Sequence, residues 1–255
     1  VNNLMEHLDG SYFRILDMLT IARSRKHIEK YYDTTDIGKF PNRLKPKTIY
    51  PEIDTKNQFK DIGVIYDEIS TLTLASYSPL GYVRSDKREF YEQKYDMLTQ
   101  TGSIFKQVDR EQSLIYLMRI NLLKRLESSI HSFKLTVEKL IHTIDLNLNQ
   151  IEEHKTGDID FELNITDIDI DDIELEDLLV GGKTKILIQD IDIISWKQDL
   201  KQDKSVLMTL MSNIELIDVE RDAKLFELKK IIEDKLKNPI NSDNKKIIVF
   251  TAFAD

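Results

Sequence analysis

The sequence predicts a mainly α-helical fold: a helical bundle with a long antiparallel helical hairpin, followed by a short C-terminal strand of the kind found in an α/β lobe. Three observations carry this. Gly and Pro are scarce, 8 and 5 among 255 residues, which leaves few tight turns and favours long helices. Apolar residues at Leu123, Leu126, Ile130, Phe133, Val137, Leu140 and Ile144 alternate spacings of three and four, one stripe along one helix face. A second stripe, Leu207, Leu210, Ile214 and Ile217, continues after a one-step drift through Leu225, Leu228, Ile232 and Leu236, and supplies a partner for the first.

Taken in order, Ser11 to Tyr32 reads as a helix with Phe13, Leu16 and Leu19 on its apolar side, running into Arg23, Arg25, Lys26, His27 and Lys30. Cations there suit the negative end of the helix dipole; they equally suit a phosphate partner, and residues 1–50 carry more Lys and Arg than Asp and Glu. Pro41, Pro46 and Pro51 disfavour helix in the residues before them, so Asp33 to Pro51 is a basic, extended loop. Asp54 to Tyr77 follows as a helix with Phe59, Ile62, Ile65, Ile69, Leu72 and Leu74 inward, and Tyr82 to Gln100 as a polar, aromatic one.

Glu111 to Glu152 then reads as a single helix, which at about 1.5 Å per residue would be on the order of 60 Å long. A rod of that length should project or pair, with Ser103 or Asp109 as its cap. Gly157 to Asp177 holds ten acidic residues and no basic one. Ile and Leu alternate there with Asp and Glu, which suggests a strand, but like charge opposes pairing, so a loop with fragments of structure is expected. From Ile186 to Lys237 the second long helix ends at Asn238-Pro239, and Trp196 should pack in the core or against the insert. Ile247 to Thr251 reads as a buried strand.

Composition excludes several functions. With no cysteine, disulfides, thiolate metal sites and a thiol nucleophile are absent, which fits a reducing cytoplasm. No apolar run approaches the roughly 18 residues that span a bilayer. A net charge of -9 means that any site for a polyanion must be local. Gly181-Gly182-Lys183-Thr184 resembles the end of a phosphate loop, but Asp177 stands where its first glycine belongs. Asp167, Asp169 and Asp171 have calcium-loop spacing, but Asp172 and Leu178 occupy the glycine and carboxylate positions, so a solvated acidic segment is the better reading. None of the five histidines has zinc spacing.

Four stretches in this order, IARSRKHI from Ile21, FPNRLKP from Phe40, NLLKRLESS from Asn121 and KIIVFTAFAD from Lys246, resemble the middle of bacterial Swi/Snf-type, superfamily-two helicase-like ATPases, those with an N-terminal phospholipase D-like domain among them. The resemblance implies a parent with two RecA-like lobes that clamp ATP and Mg and move along nucleic acid, in which this chain lies between the lobes. It implies residues 1–110 as a helical body after the first lobe, 111–237 as the hairpin with an acidic insert near 157–185, and 238–255 as a linker and first strand of the second lobe. The phosphate loop, the acidic pair and the arginine finger of that class are not in this sequence, so no catalytic, cofactor or metal residue is expected here. The sequence therefore reads as an excised piece of a larger, cytoplasmic protein. The expected partners are nucleic acid, above all double-stranded DNA, and the two lobes, with no membrane. Arg23, Arg25, Lys26, Lys30, Lys124 and Arg125 are the candidate nucleic-acid contacts. The other reading is a helical scaffold that binds a protein partner through its hairpin.

Overall fold

The structure is a computed structural model that describes residues 24–31, 40–98, 104–156, 162–164, 185–242 and 244–251, with positions 19 and 33 between them. It is mainly helical. The helices are α1 (Arg25–Tyr31), α2 (Ile62–Thr71), α3 (Arg88–Tyr95), α4 (Gln107–Ser128), α5 (Ile130–Thr156), α6 (Ile193–Ile214) and α7 (Ala223–Lys237). Two short antiparallel ladders join β1 (Met97–Leu98) to β2 (Ile104–Phe105) and β3 (Glu162–Asn164) to β4 (Lys185–Leu187). The second ladder sets Glu162 opposite Leu187 and Asn164 opposite Lys185. The rest of the acidic stretch lies outside the described residues.

The chain divides into two compact units. One comprises residues 1–48 and 234–246, the other residues 49–233 and 247–255. In the second unit α4 packs antiparallel to α5, and α5 antiparallel to α6. The α5–α6 pair is the expected hairpin. Lys204 pairs with Asp145 and Lys197 with Glu152, which fixes its register. Phe133, Val137, Leu140 and Ile144 are buried from α5, and Leu200, Leu207, Leu210 and Ile214 from α6, each burial contributing about 1.5–3 kcal/mol.

Glu111 to Glu152 is not one rod. Ser129 breaks it, with extended backbone at φ -157° and ψ 129°. The Ser129 N–H still donates to the Arg125 carbonyl at 2.8 Å, while its own carbonyl accepts from Phe133 N at 3.0 Å. Its hydroxyl accepts from Ser132 N at 3.4 Å, so one serine closes α4 and caps α5. The two halves fold back on each other instead of projecting. Asp109 does not cap α4: Lys106 stands at the capping position and Asp109 lies in the first turn, while Ser103 lies outside the described residues.

The second long helix is also two. Residues 215–222 interrupt it, where Asp218 Oδ1 accepts from the backbone of Glu220 and Arg221. Arg221 then reaches Asp54 through Nε at 3.0 Å and Nη2 at 2.5 Å. This break takes α7 off the hairpin. Its stripe of Leu225, Leu228, Ile232 and Leu236 is exposed or half-buried, and in α7 only Ala223 is buried among the described side chains.

Before the hairpin, the expected helix from Asp54 to Tyr77 shrinks to α2, capped by Asp61, whose carboxylate accepts from Gly63 N. Ile62 turns outward, while Ile65, Ile69, Leu72 and Leu74 are core. Leu74 sits at φ 50°, ψ 44°, left-handed backbone that costs a non-glycine residue about 1–2 kcal/mol. Asp203 of α6 holds it there. Its carboxylate accepts from Thr73 N at 2.7 Å, Thr73 Oγ1 at 2.9 Å and Ala75 N at 3.0 Å. Trp196, fully buried as a core residue, adds a bond from Nε1 to the Ala75 carbonyl at 3.0 Å. The expected helix from Tyr82 to Gln100 is likewise only α3. Ile247 to Thr251 forms no ladder among the described residues, and Phe250 is 90% exposed. The expected buried strand is absent because no described strand lies beside it to accept its backbone hydrogen bonds.

Candidate nucleic-acid interface

Charge is partitioned between the two units. The first has 13 Lys and Arg against 8 Asp and Glu, a formal +5; the second has 23 against 37, a formal -14. The six candidate contacts fall in both. Arg23 lies outside the described residues, as does the side chain of Lys26. Arg25 and Lys30 belong to α1 and are exposed. The Arg25 guanidinium stands 5.7 Å from the centroid of the Phe40 ring, a cation–π contact that leaves its donors available. Lys30 Nζ is 5.0 Å from the Tyr31 ring.

Lys124 and Arg125 are in the second unit and part company there. Arg125 is 5% exposed and engaged within the protein, so it offers nothing to a surface ligand. One helical step, about 100°, separates it from the exposed Lys124. Lys124 opens onto a groove of about 1250 Å³. The α4–α5 elbow around Ser129, the end of α6 at Ile214, and Leu225, Leu228 and Ile231 of α7 line it, with Phe250 at its edge. Lys224 Nζ donates to the Glu127 carbonyl at 2.6 Å and ties α7 to the elbow.

The other arginines near this helix are structural. Arg119 donates to the Leu72 carbonyl through Nε at 2.9 Å, where α2 ends. Arg110 is buried and engaged. Asp54 accepts from Arg221, Lys56 N and Gln58 N, and the Arg221 guanidinium chiefly holds its carboxyl well below the usual carboxylate range.

Two further buried acids, Glu111 and Asp203, form no ion pair among the described residues. Burial pushes the Glu111 carboxyl up to about 8, against one hydrogen bond from Leu80 N at 3.1 Å. Its other oxygen has no hydrogen-bond partner among the described residues. Burial also raises Asp203, although three donors oppose the rise. The nearby Asp199 carboxylate adds to the rise at Asp203. Among the described residues no three His, Asp or Glu side chains gather as metal ligands would, and no helix is long and apolar enough to cross a membrane.

Periodicity could not tell Lys124 from Arg125, because both flank the apolar stripe. The basic run at Arg43, Lys45 and Lys47 is visible in sequence, but its long-range anchor at Asn241 has no sequence signal. No family model, curated protein or solved structure matches this chain.

Proposed function

We propose that this chain is a nucleic-acid-contacting helical module of an ATP-dependent, Swi/Snf-type helicase-like translocase, placed between two RecA-like lobes that supply ATP and Mg chemistry. The module itself carries no catalytic step. Its role is mechanical: it links the lobes and offers cations to the backbone of double-stranded DNA, in the cytoplasm. The observation that carries this reading is the charge partition, a unit of +5 in a chain of -9, with Arg25 and Lys30 exposed on its helix. Phosphate contacts of this kind give affinity without sequence preference. The motor itself rests on the resemblance of the four stretches.

Arg25→Ala with Lys30→Ala should weaken binding to a random duplex at least several-fold, with helix content unchanged by circular dichroism. Equal affinity of the double variant would remove α1 from the interface. The purified chain should show no ATP turnover, and genuine turnover would overturn the reading of a module without catalytic residues.

A second reading, a helical scaffold for a protein partner, is favoured by the groove beside Lys124 and by the exposed Leu225, Ile231 and Phe250 around it. In that case substitutions at Leu225 and Ile231, not those at Arg25 and Lys30, would abolish binding to the partner.

A further inference from the structure

We infer that a second phosphate-binding strip lies outside α1, formed by residues 40–48 together with residues 235–242 and 244–246, and that its ligand is the phosphodiester backbone of nucleic acid. This rests on the nucleic-acid reading above and extends it to residues that reading did not use.

Two chain segments 199 positions apart are clasped by one asparagine. Asn42 N donates to Asn241 Oδ1 at 2.7 Å, and Asn241 Nδ2 donates back to the Asn42 carbonyl at 3.2 Å. The clasp gathers Arg43, Lys45 and Lys47 from one segment with Lys237, Lys245 and Lys246 from the other, all six exposed. None of the six makes an ion pair with an acid among the described residues. By sequence the first segment has no acid and the second only Asp243. Six like charges held together oppose their own proximity, so the arrangement favours a polyanion that neutralises them. The Arg25 guanidinium lies over Phe40, the first residue of the strip, which brings α1 beside the strip within the unit.

One feature favours nucleic acid over an acidic protein. Arg43, Lys45 and Lys47 occupy alternate positions, with successive Cα atoms at most about 7 Å apart, close to the separation of consecutive phosphates along one strand. The strip's exposed apolar side chains, Leu44, Leu236 and Ile240, lie among the cations of the two segments. Asn42 and the prolines restrict the segment, so little ordering cost falls on binding.

The test measures binding of a labelled single strand and a labelled duplex of random sequence to the whole chain, between about 50 and 200 mM salt. Arg43→Gln, Lys45→Gln and Lys47→Gln together should reduce the slope of log affinity against log salt by about 2 for the single strand and about 3 for the duplex. Lys245→Gln with Lys246→Gln, on the other side of the clasp, should reduce it by between 1 and 2. Asn241→Ala should weaken binding several-fold with every cation retained. A triple variant that keeps the wild-type slope, while the wild-type chain binds, would overturn the strip and leave the α1 interface standing. A wild-type chain that binds neither ligand would overturn both. Binding of polyglutamate as tight as that of the oligonucleotides would overturn the assignment to nucleic acid and point to an acidic protein.

Discussion

The two units of this chain differ in how most of their described arginines are used. In the first, Arg25 and Arg43 are exposed, and no carboxylate pairs with either among the described residues. In the second, Arg119 and Arg221 bond internal acceptors and Arg110 and Arg125 are buried, while Arg84, paired with Asp86, and Arg88 are exposed. The acidic unit uses guanidinium to close its own polar bookkeeping: the carbonyl at the end of α2 and the carboxylate of Asp54. The basic unit leaves it exposed at Arg25 and Arg43. Counting cations along a sequence therefore overstates the interface, because a buried charge that has already found its partners has nothing left to give.

This contrast can be broken from the acidic side first. Asp203→Ala removes one carboxylate from three donors and releases the strained backbone at Leu74; at about 1–3 kcal/mol for each unsatisfied buried group, the loss should be on the order of 3–5 kcal/mol in denaturant unfolding. A cost under about 1 kcal/mol would mean that the turn holds without it. Next in size is a pH effect. The folded state raises the Glu111 carboxyl, so its stabilising contribution is fully present below the ordinary glutamate pKa and is lost as pH rises toward about 8. Glu111→Gln should flatten the fall in thermal midpoint across that window; an unchanged profile would place the titration elsewhere.

Asp54 has the opposite sign. Its folded carboxyl is held low, so its contribution is present above the ordinary aspartate value and lost as pH falls into the acid range. Asp54→Asn should lower stability at neutral pH and reduce the acid sensitivity of unfolding, and loss of both effects in Arg221→Ala would confirm the pairing. The smallest stability effect belongs to the basic unit. Arg25→Ala with Lys30→Ala should change stability by no more than about 0.5 kcal/mol, because exposed cations support little structure. A larger loss would make α1 structural, like the arginines of the acidic unit.

The α5–α6 hairpin was legible because its stripe is long, strictly periodic and free of glycine; Phe133 through Ile144 and Leu207 through Ile214 are all where the spacing places them. The break at Ser129 was not, since a serine in a helical run is neutral until its hydroxyl finds the N–H three residues on. The break after Ile214 depends on Arg221 reaching Asp54, 167 positions away, a contact that no local pattern announces. In the interface, residue type alone proposed Arg25 and Lys30, which are exposed, and Arg125, which is not. Burial separates them, and burial is set by partners distant in sequence.

The charge partition is tested most directly by the affinity of the unmutated chain for a random duplex as salt is raised from about 50 to 200 mM. Arg25, Lys30 and the cations around them predict measurable binding at the low end and a fall of at least tenfold across that range, with no preference among sequences. No detectable binding at about 50 mM, or binding insensitive to salt, would contradict a phosphate-contacting role and shift the weight to a protein partner in the groove beside Lys124.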